Sequence, residues 1–126
     1  MSPDEATESV LLPYGVWAVV SPFHFPSALA AGMIAGALLG GNTVVFKPAI
    51  DAPVSGELLC EALWASGVPR DALQLVHGPG SSVGAALLAD PRIAGVAFTG
   101  SSAVGMQIVR NVGNGALDLA AQQGPR

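Results

Sequence analysis

The sequence predicts an α/β fold, namely a doubly wound, Rossmann-like parallel sheet with helices on both of its faces. The first observation is that short strand patterns and helix patterns alternate along the chain. Parallel strands need crossovers, which are nearly always right-handed, so this alternation favours a doubly wound sheet. The composition agrees, since 51% of the residues are hydrophobic and 11% are charged. A chain of 126 residues is small for covering both faces of such a sheet, and we therefore expect an incomplete domain.

The first three predicted elements form one βαβ unit. Residues 16–20 are β-branched and aromatic, which predicts a strand that stops at Ser21 and Pro22. An apolar helix follows over residues 26–39, and Gly40, Gly41 and Asn42 close it because they tolerate a left-handed backbone. Residues 43–46 then predict a short buried strand.

The later elements continue this alternation. We predict helices over residues 53–66, 81–89 and 102–111, and strands over residues 73–76 and 95–98. Residues 113–115, Gly-Asn-Gly, predict a turn, and residues 116–121 are too weakly patterned to assign. The chain is accordingly divided into a tail at 1–12, a partial α/β domain at 13–111 and a second tail at 112–126.

Charge and cysteine content exclude several classes of function. The net charge is −4, and the five basic residues are scattered, so no basic patch for nucleic acid is expected. Cys60 is the only cysteine, which excludes an internal disulfide and gives no clustered spacing for a metal. A reducing, cytoplasmic setting fits best. The acidic start of the chain also lacks the pattern of a secretory signal.

The segment between Glu8 and Lys47 contains no charged residue and could suggest a membrane-associated protein. Pro13, Pro22 and Pro26 interrupt it, and the uninterrupted part has only about 13 residues, where a membrane-spanning helix needs about 20. We expect no membrane span.

Six short motifs stand in a fixed order along the chain. They are Pro13-Tyr-Gly-Val16, Ser21-Pro-Phe-His-Phe-Pro26, Gly41-Asn-Thr-Val-Val-Phe-Lys-Pro48, Ala65-Ser-Gly-Val-Pro69, Gly78-Pro-Gly80, and Phe98-Thr-Gly-Ser101 with Val104-Gly105. Each motif alone is common, but the ordered set is specific. Over about residues 13–110 the chain resembles the nucleotide-binding part of the aldehyde dehydrogenases.

The resemblance implies an activity and a set of site residues. The activity is NAD- or NADP-dependent oxidation of an aldehyde to a carboxylic acid, and full-length relatives would be homo-oligomers. Residues 31–36 and 104–108 look most like glutamate-semialdehyde (1-pyrroline-5-carboxylate) dehydrogenases of proline catabolism. The implied cofactor-binding residues are Ser21, Pro22, Phe23, Lys47, Gly80, Gly84, Phe98, Gly100, Ser101 and Val104, and the implied catalytic residue is His24.

Lys47 and Ser101 are central to this interpretation. We expect their strands to be neighbours, so that an ammonium group and a hydroxyl group converge at the carboxyl edge of the sheet. By the resemblance, Lys47 donates to the adenosine ribose hydroxyls and Ser101 binds the pyrophosphate at a helix N-terminus. The alternatives are a solvated lysine after a strand and a serine that only caps the helix, although capping and binding are compatible.

The glycine and aromatic positions also have two interpretations each. Gly80 and Gly84 allow close approach of a nucleotide, but Gly78-Pro-Gly80 alone would be an ordinary turn. Phe23 stands where the family has an aromatic residue beside the cofactor, whereas a phenylalanine in general is more often a core residue.

Two residues depart from the family pattern. His24 replaces an asparagine whose amide stabilises the oxyanion of the thiohemiacetal intermediate, and an imidazole N–H can either replace that donor or mark an inactive site. Ile50 replaces an acidic residue that pairs with the ribose hydroxyls in many relatives. Because a carboxylate would repel a 2′-phosphate, its absence leaves NADP acceptable, with Asp51 as a possible substitute.

The catalytic groups of the family are not visible. Cys60 precedes Phe98, whereas the family nucleophile follows that strand, so we expect Cys60 to be structural. Gln122 falls near the place of the general-base glutamate, and an amide cannot accept the proton. The chain by itself is expected to be inactive. The alternative function is a non-catalytic nucleotide-binding fragment or degenerate paralogue.

Overall fold

The computed structural model describes residues 6–122, with side-chain environments for residues 6–112. The elements are β1 (Val16–Val20), α1 (Pro26–Leu39), β2 (Thr43–Lys47), α2 (Pro53–Ala65), β3 (Leu73–Leu75), a π-helical turn (Gly80–Gly84), α3 (Ala85–Ala89), β4 (Ile93–Phe98) and α4 (Ser102–Gln122). The predicted alternation of strands and helices is confirmed. Within the predicted helix 81–89, the first turn is π-helical, a form that is rare and often lies at functional sites.

The four described strands form one parallel sheet in the order β3-β2-β1-β4. In the register of this sheet, Val20 is level with Lys47 of β2 and with Phe98 of β4. The predicted parallel, doubly wound sheet is confirmed. The expectation that β2 and β4 are neighbours is wrong, because β1 lies between them. Strand order depends on contacts between distant parts of the chain, which motif order does not encode.

The main hydrophobic core lies between one face of the sheet and the pair α1 and α2. Alternate strand residues point to this face, as expected for a strand repeat of two. The buried core residues are Val19, Ala30, Ile34, Ala37, Val44, Phe46, Cys60 and Leu73. Trp64 of α2 packs against this cluster and donates from Nε1 to the carbonyl oxygen of Leu73 at 3.0 Å, so α2 is fixed to the start of β3.

The other face carries the π-helical turn, α3 and α4. A side chain at Gly84 would start 3.6 Å from Cε of Lys47, and one at Gly105 would start 3.3 Å from the ring of Phe98. The two residues at the ends of β2 and β4 therefore point toward these helices. The prediction of helices on both faces is confirmed.

Helix α4 is longer than predicted. The expected turn at residues 113–115 is wrong, because the helix continues through them to Gln122. The alanine, leucine and glutamine residues that follow are strong helix formers and offset the cost of about 1 kcal/mol for each internal glycine. Residues 123–126, which include half of the predicted general-base segment 121–124, lie outside the described residues, whereas Gln122 is the last residue of α4. Within residues 6–122, no helix is long and apolar enough to cross a membrane.

Candidate functional site

The site predicted from the sequence lies at the carboxyl edge of the sheet. All four strands are parallel, so the residues that follow them gather at this one edge. The backbone N–H of Ser21 donates to the carbonyl oxygen of Lys47 at 3.3 Å, and the backbone N–H of Thr99 donates to the carbonyl oxygen of Val20 at 3.2 Å. Open α/β sheets bind their ligands outside this edge. Lys47 and Ser101 share it, although two strand spacings separate β2 from β4.

Lys47 is buried, with 4% of its surface exposed. Its ammonium donates to the carbonyl oxygen of Pro48 at 3.2 Å, and its methylene groups lie beside Gly84. Burial removes water from the charge and lowers the pKa of the amine below 10.5. The interpretation as a solvated surface lysine is wrong. An ammonium has three donors, so this amine has hydrogen-bonding capacity for a ligand beyond the bond to Pro48.

Ser101 caps helix α4. The backbone N–H of Val104 donates to Ser101 Oγ at 3.4 Å, and the N–H of Gly105 donates to the Ser101 carbonyl at 3.0 Å. The cap interpretation is therefore confirmed. The first N–H groups of a helix have no partner inside the helix and lie at its positive end. Those of Ser102 and Ala103 are the groups that can bind a phosphate.

The π-helical turn forms the wall beside Lys47. Gly78 precedes it at a φ of +148°, where a side chain would overlap Val83. The N–H groups of Ser82 and Gly84 both donate to the Pro79 carbonyl, at 3.3 and 3.2 Å. No described atom lies within 4 Å of a side chain built at Gly80. Gly78 is thus required by the turn itself. Gly80 faces open space, whereas a Cβ atom at Gly84, which is buried, would be in van der Waals contact with Lys47.

The ring of Phe98 restricts the residues between β4 and α4. A Cβ atom at Gly100 would lie 2.6 Å from Cζ of Phe98, which is closer than such atoms approach each other. Any larger residue at position 100 would therefore need the ring of Phe98 to move. Val104, on the first turn of α4, remains 44% exposed and contributes an apolar surface to the same region.

The loop after β1 exposes its aromatic residues. Ser21 and Pro22 are buried, whereas 66% of Phe23 is exposed, so the core-packing interpretation of Phe23 is wrong. His24 contacts Phe23 and Phe25 edge-on, with ring centroids 5.5 and 6.3 Å away. The hydroxyl of Ser21 is buried without a hydrogen-bond partner among the described residues. Phe25 adopts a left-handed backbone with a φ of 45° and starts α1.

Cys60 and Ile50 lie in contrasting environments. Cys60 is fully buried in the core between α2 and the sheet, and burial raises the pKa of its thiol to about 11. A thiol of this kind is unreactive, in agreement with the structural role expected for it. Ile50 is 59% exposed beyond the end of β2, and Asp51 beside it is also exposed.

Sequence reasoning missed an ionic contact at this edge. His77, two residues after β3, lies with Nε2 3.2 Å from Oε1 of Glu57 on α2. The position of His77 just beyond a strand was the available signal, but the partner on a different element was not visible from the sequence.

An open parallel sheet with a buried ammonium and a capped helix N-terminus at its carboxyl edge defines a dinucleotide-binding class of α/β protein. Residues 1–124 match the sequence model of the aldehyde dehydrogenase family. The chain belongs to this family, whose members are oxidoreductases that use NAD or NADP.

Two relatives illustrate the similarity. An N-succinylglutamate 5-semialdehyde dehydrogenase of a Caulobacter species is 52% identical over 92 residues, which cover 73% of this chain and 19% of the relative. A 1-pyrroline-5-carboxylate dehydrogenase of Bacillus cereus is 42% identical over 106 residues, which cover 84% of this chain and 21% of the relative. The chain thus spans about a fifth of the length of these curated relatives.

A solved structure shows the same fold. The NADP-dependent glyceraldehyde-3-phosphate dehydrogenase of Bacillus halodurans, in complex with NADP, superposes with a TM-score of 0.77 at 44% sequence identity. The match covers 79% of this chain and 21% of that chain.

Proposed function

We propose that this chain is the NAD(P)-binding part of an enzyme that oxidises an aldehyde to a carboxylic acid. The observation that carries the proposal is the buried amine of Lys47 at the carboxyl edge of a parallel sheet. Burying a charge is costly unless the charge is paired and hydrogen-bonded, and the hydrogen bond to Pro48 uses one of the three donors of the ammonium. A nucleotide ribose supplies the missing acceptors.

The residues at the edge fit such a ligand. Lys47 would hold the adenosine ribose, with Gly84 packed against its side chain and Gly80 facing open space. The N-terminus of α4, capped by Ser101, would bind the pyrophosphate, and Val104 would contact the nucleotide. Bound NAD or NADP supplies the hydride acceptor for the oxidation. Ser21, Pro22, Phe23, Phe98 and Gly100 would shape the remaining part of the cleft.

The proposed substrate is glutamate semialdehyde, which would place the complete enzyme in proline catabolism. Support comes from the similarity to 1-pyrroline-5-carboxylate and succinylglutamate-semialdehyde dehydrogenases. The proposed setting is the cytoplasm, where the single thiol Cys60 would remain reduced.

The chain alone is proposed to be inactive in catalysis. No cysteine follows Cys60 and no glutamate follows Glu61, so neither the nucleophile nor the general base of the family is present after Phe98. We expect no aldehyde-dependent reduction of NAD or NADP by residues 1–126. Measurable turnover of glutamate semialdehyde by this polypeptide would refute this statement.

The binding function is tested directly by titrating the 126-residue chain with NADH and NADPH. Trp17 and Trp64 are its two tryptophans, and their quenching together with calorimetry reports binding. We expect saturable binding of at least one nucleotide. If neither the oxidised nor the reduced forms bind to the folded chain, the proposal is wrong.

A second function, that of a non-catalytic nucleotide-binding paralogue, is favoured by His24. In a polypeptide that also carries the catalytic half, His24→Asn should raise the activity if the histidine is a defect. It should lower the activity if the imidazole is an adapted oxyanion donor, because losing one such donor typically costs about 10²–10³ in turnover.

Exposed apolar side chains support the proposal that this half is covered in a larger assembly. Within the described residues, the exposed residues of α4 include Val104, Met106, Val109 and Val112, from 44% to 63% exposed. Apolar surface of this kind favours association. We expect self-association of the isolated chain in size-exclusion chromatography at increasing concentration, and a strictly monomeric profile would contradict it.

A further inference from the structure

The contact between His77 and Glu57 lies at the same edge of the sheet as the proposed ribose site. The backbone N–H of Val76 donates to the carbonyl oxygen of Phe46 at 2.9 Å, so His77 comes one residue beyond the point where β3 pairs with β2. In the continued register, His77 is level with Pro48. Pro48 is the residue whose carbonyl accepts the hydrogen bond from the Lys47 ammonium.

Glu57 approaches the same place from α2. The helix packs tightly against Pro48, since a Cβ atom built on Gly56 would lie 2.7 Å from Cγ of Pro48. Glu57 is the next residue, and its carboxylate contacts the His77 imidazole at 3.2 Å. The side chains of His77 and Glu57 are 38% and 55% exposed, so a ligand in solution can reach both.

The charges around this point are nearly balanced. We call Lys47, Asp51, Glu57 and His77 the edge patch, because Lys47 ends β2, Asp51 and His77 follow β2 and β3, and Glu57 on α2 contacts His77. Its formal charge is −1 with a neutral imidazole and zero with an imidazolium. Ile50, which is 59% exposed in this loop, adds no carboxylate.

We propose that His77 is a second hydrogen-bond donor, beside Lys47, for the 2′-phosphate of NADP, and that Glu57 competes with this phosphate for the imidazole. This inference rests on the proposed function, because it assumes that Lys47 holds the adenosine ribose. The pair is a specificity determinant. With Glu57 bound to His77, NAD is accepted and the 2′-phosphate meets a carboxylate; with His77 turned to the phosphate, NADP is accepted.

The test measures dissociation constants of NAD and NADP by calorimetry for the 126-residue chain and its variants at constant pH and ionic strength. For His77→Gln we expect NADP to bind about tenfold more weakly, because one charge-assisted hydrogen bond is lost, and NAD to bind within about twofold of the parent. For Glu57→Gln we expect NADP to bind about tenfold more tightly relative to NAD.

The chain offers a matched control in Glu61→Gln. Glu61 lies one turn further along α2, is exposed and carries the same charge. Its removal should change the ratio of the two affinities by less than about twofold, as an exposed charge is screened by solvent. The variant that carries both His77→Gln and Glu57→Gln completes a double-mutant cycle. The gain from Glu57→Gln should be lost when His77 is glutamine, since the two changes act through one contact.

The outcomes separate this inference from the proposed function. If NAD binds but His77→Gln leaves the ratio of the NADP and NAD affinities unchanged, the assignment of His77 is overturned. The proposed nucleotide site at Lys47 is then unaffected. An equal effect of Glu61→Gln and Glu57→Gln also overturns it, because general electrostatics would then explain the result. If neither nucleotide binds the parent chain, the proposed function fails and this inference fails with it.

Discussion

Replacing Lys47 by methionine tests the nucleotide site most sharply. Methionine retains a stem that can pack beside Gly84, but it removes the ammonium, which is the only lysine amine in the chain. Hydrogen bonds to charged groups contribute about 1.5–3 kcal/mol, so nucleotide affinity should fall by roughly 10- to 150-fold. The affinities for NAD and NADP should both fall because the amine binds the ribose that they share, and the affinity for NADP should fall further because the amine also contacts its 2′-phosphate.

The same substitution should act on stability in the opposite direction. Burial lowers the pKa of Lys47 below 10.5, so the folded chain binds this proton less tightly than the unfolded chain. The resulting destabilisation is fully present below the lowered pKa and disappears as the pH rises toward 10.5. We expect Lys47→Met to be at least as stable as the parent at neutral pH, with the difference shrinking as the solution becomes alkaline.

Calorimetric titration combined with denaturant unfolding distinguishes these two effects. Arg110→Met is the matched control, because it removes one exposed positive charge from α4 and should change neither binding nor stability appreciably. Weaker nucleotide binding by Lys47→Met, together with unchanged or higher stability, would support the proposed nucleotide site at Lys47. Unchanged affinity of the folded Lys47→Met variant would refute the reasoning, whatever its stability.

Three further results are expected from single residues. Ser101→Ala should destabilise the chain by about 1 kcal/mol in thermal unfolding through loss of the cap, whereas Ser102→Ala should not, and equal losses would argue against capping. Cys60 should react with a thiol reagent only after denaturation, because its pKa is raised to about 11 in the core, and rapid native labelling would disprove its burial. The pKa of Asp90, held at about 2 chiefly by hydrogen bonds from Arg92, should move toward 3.8 in Arg92→Ala by NMR titration. The stabilisation from this carboxylate is present above pH 3.8 and is lost as the pH falls through about 2. An unchanged pKa of Asp90 in Arg92→Ala would contradict the role of Arg92.

The elements of the fold were predictable because their signals are local. The β-branched run at residues 16–20, the proline at the start of α1 and the glycines after it each act within a few residues. The extent of α4 was not predictable in this way. Its Gly-Asn-Gly segment favours a turn by itself, and the helix formers on its C-terminal side reverse that preference.

The environment of the candidate site was less predictable because it depends on distant residues. The burial of Lys47 requires the π-helical turn, some 35 residues later in the sequence, to cover its side chain. The pair of His77 and Glu57 likewise joins two elements that the sequence separates. The motifs identified the residues at the edge, but not which partners each of them contacts.

The strand order gives the loop after β1 a central position in the proposed site. The direction in which successive strands are added to the sheet reverses at β1, since β2 and β3 extend the sheet on one side and β4 lies on the other. Ligands of open α/β sheets bind at such a switch point. A nucleotide held by Lys47 at one end and by the N-terminus of α4 at the other must therefore cross the loop that carries Phe23 and His24. His24, whose identity differs from the residue expected by resemblance to the family, lies at the centre of this path. Its side chain is exposed and makes no hydrogen bond to the described residues. We therefore expect nucleotide binding not to depend on the identity of residue 24. The contribution of His24 to aldehyde oxidation depends on catalytic groups outside this sheet.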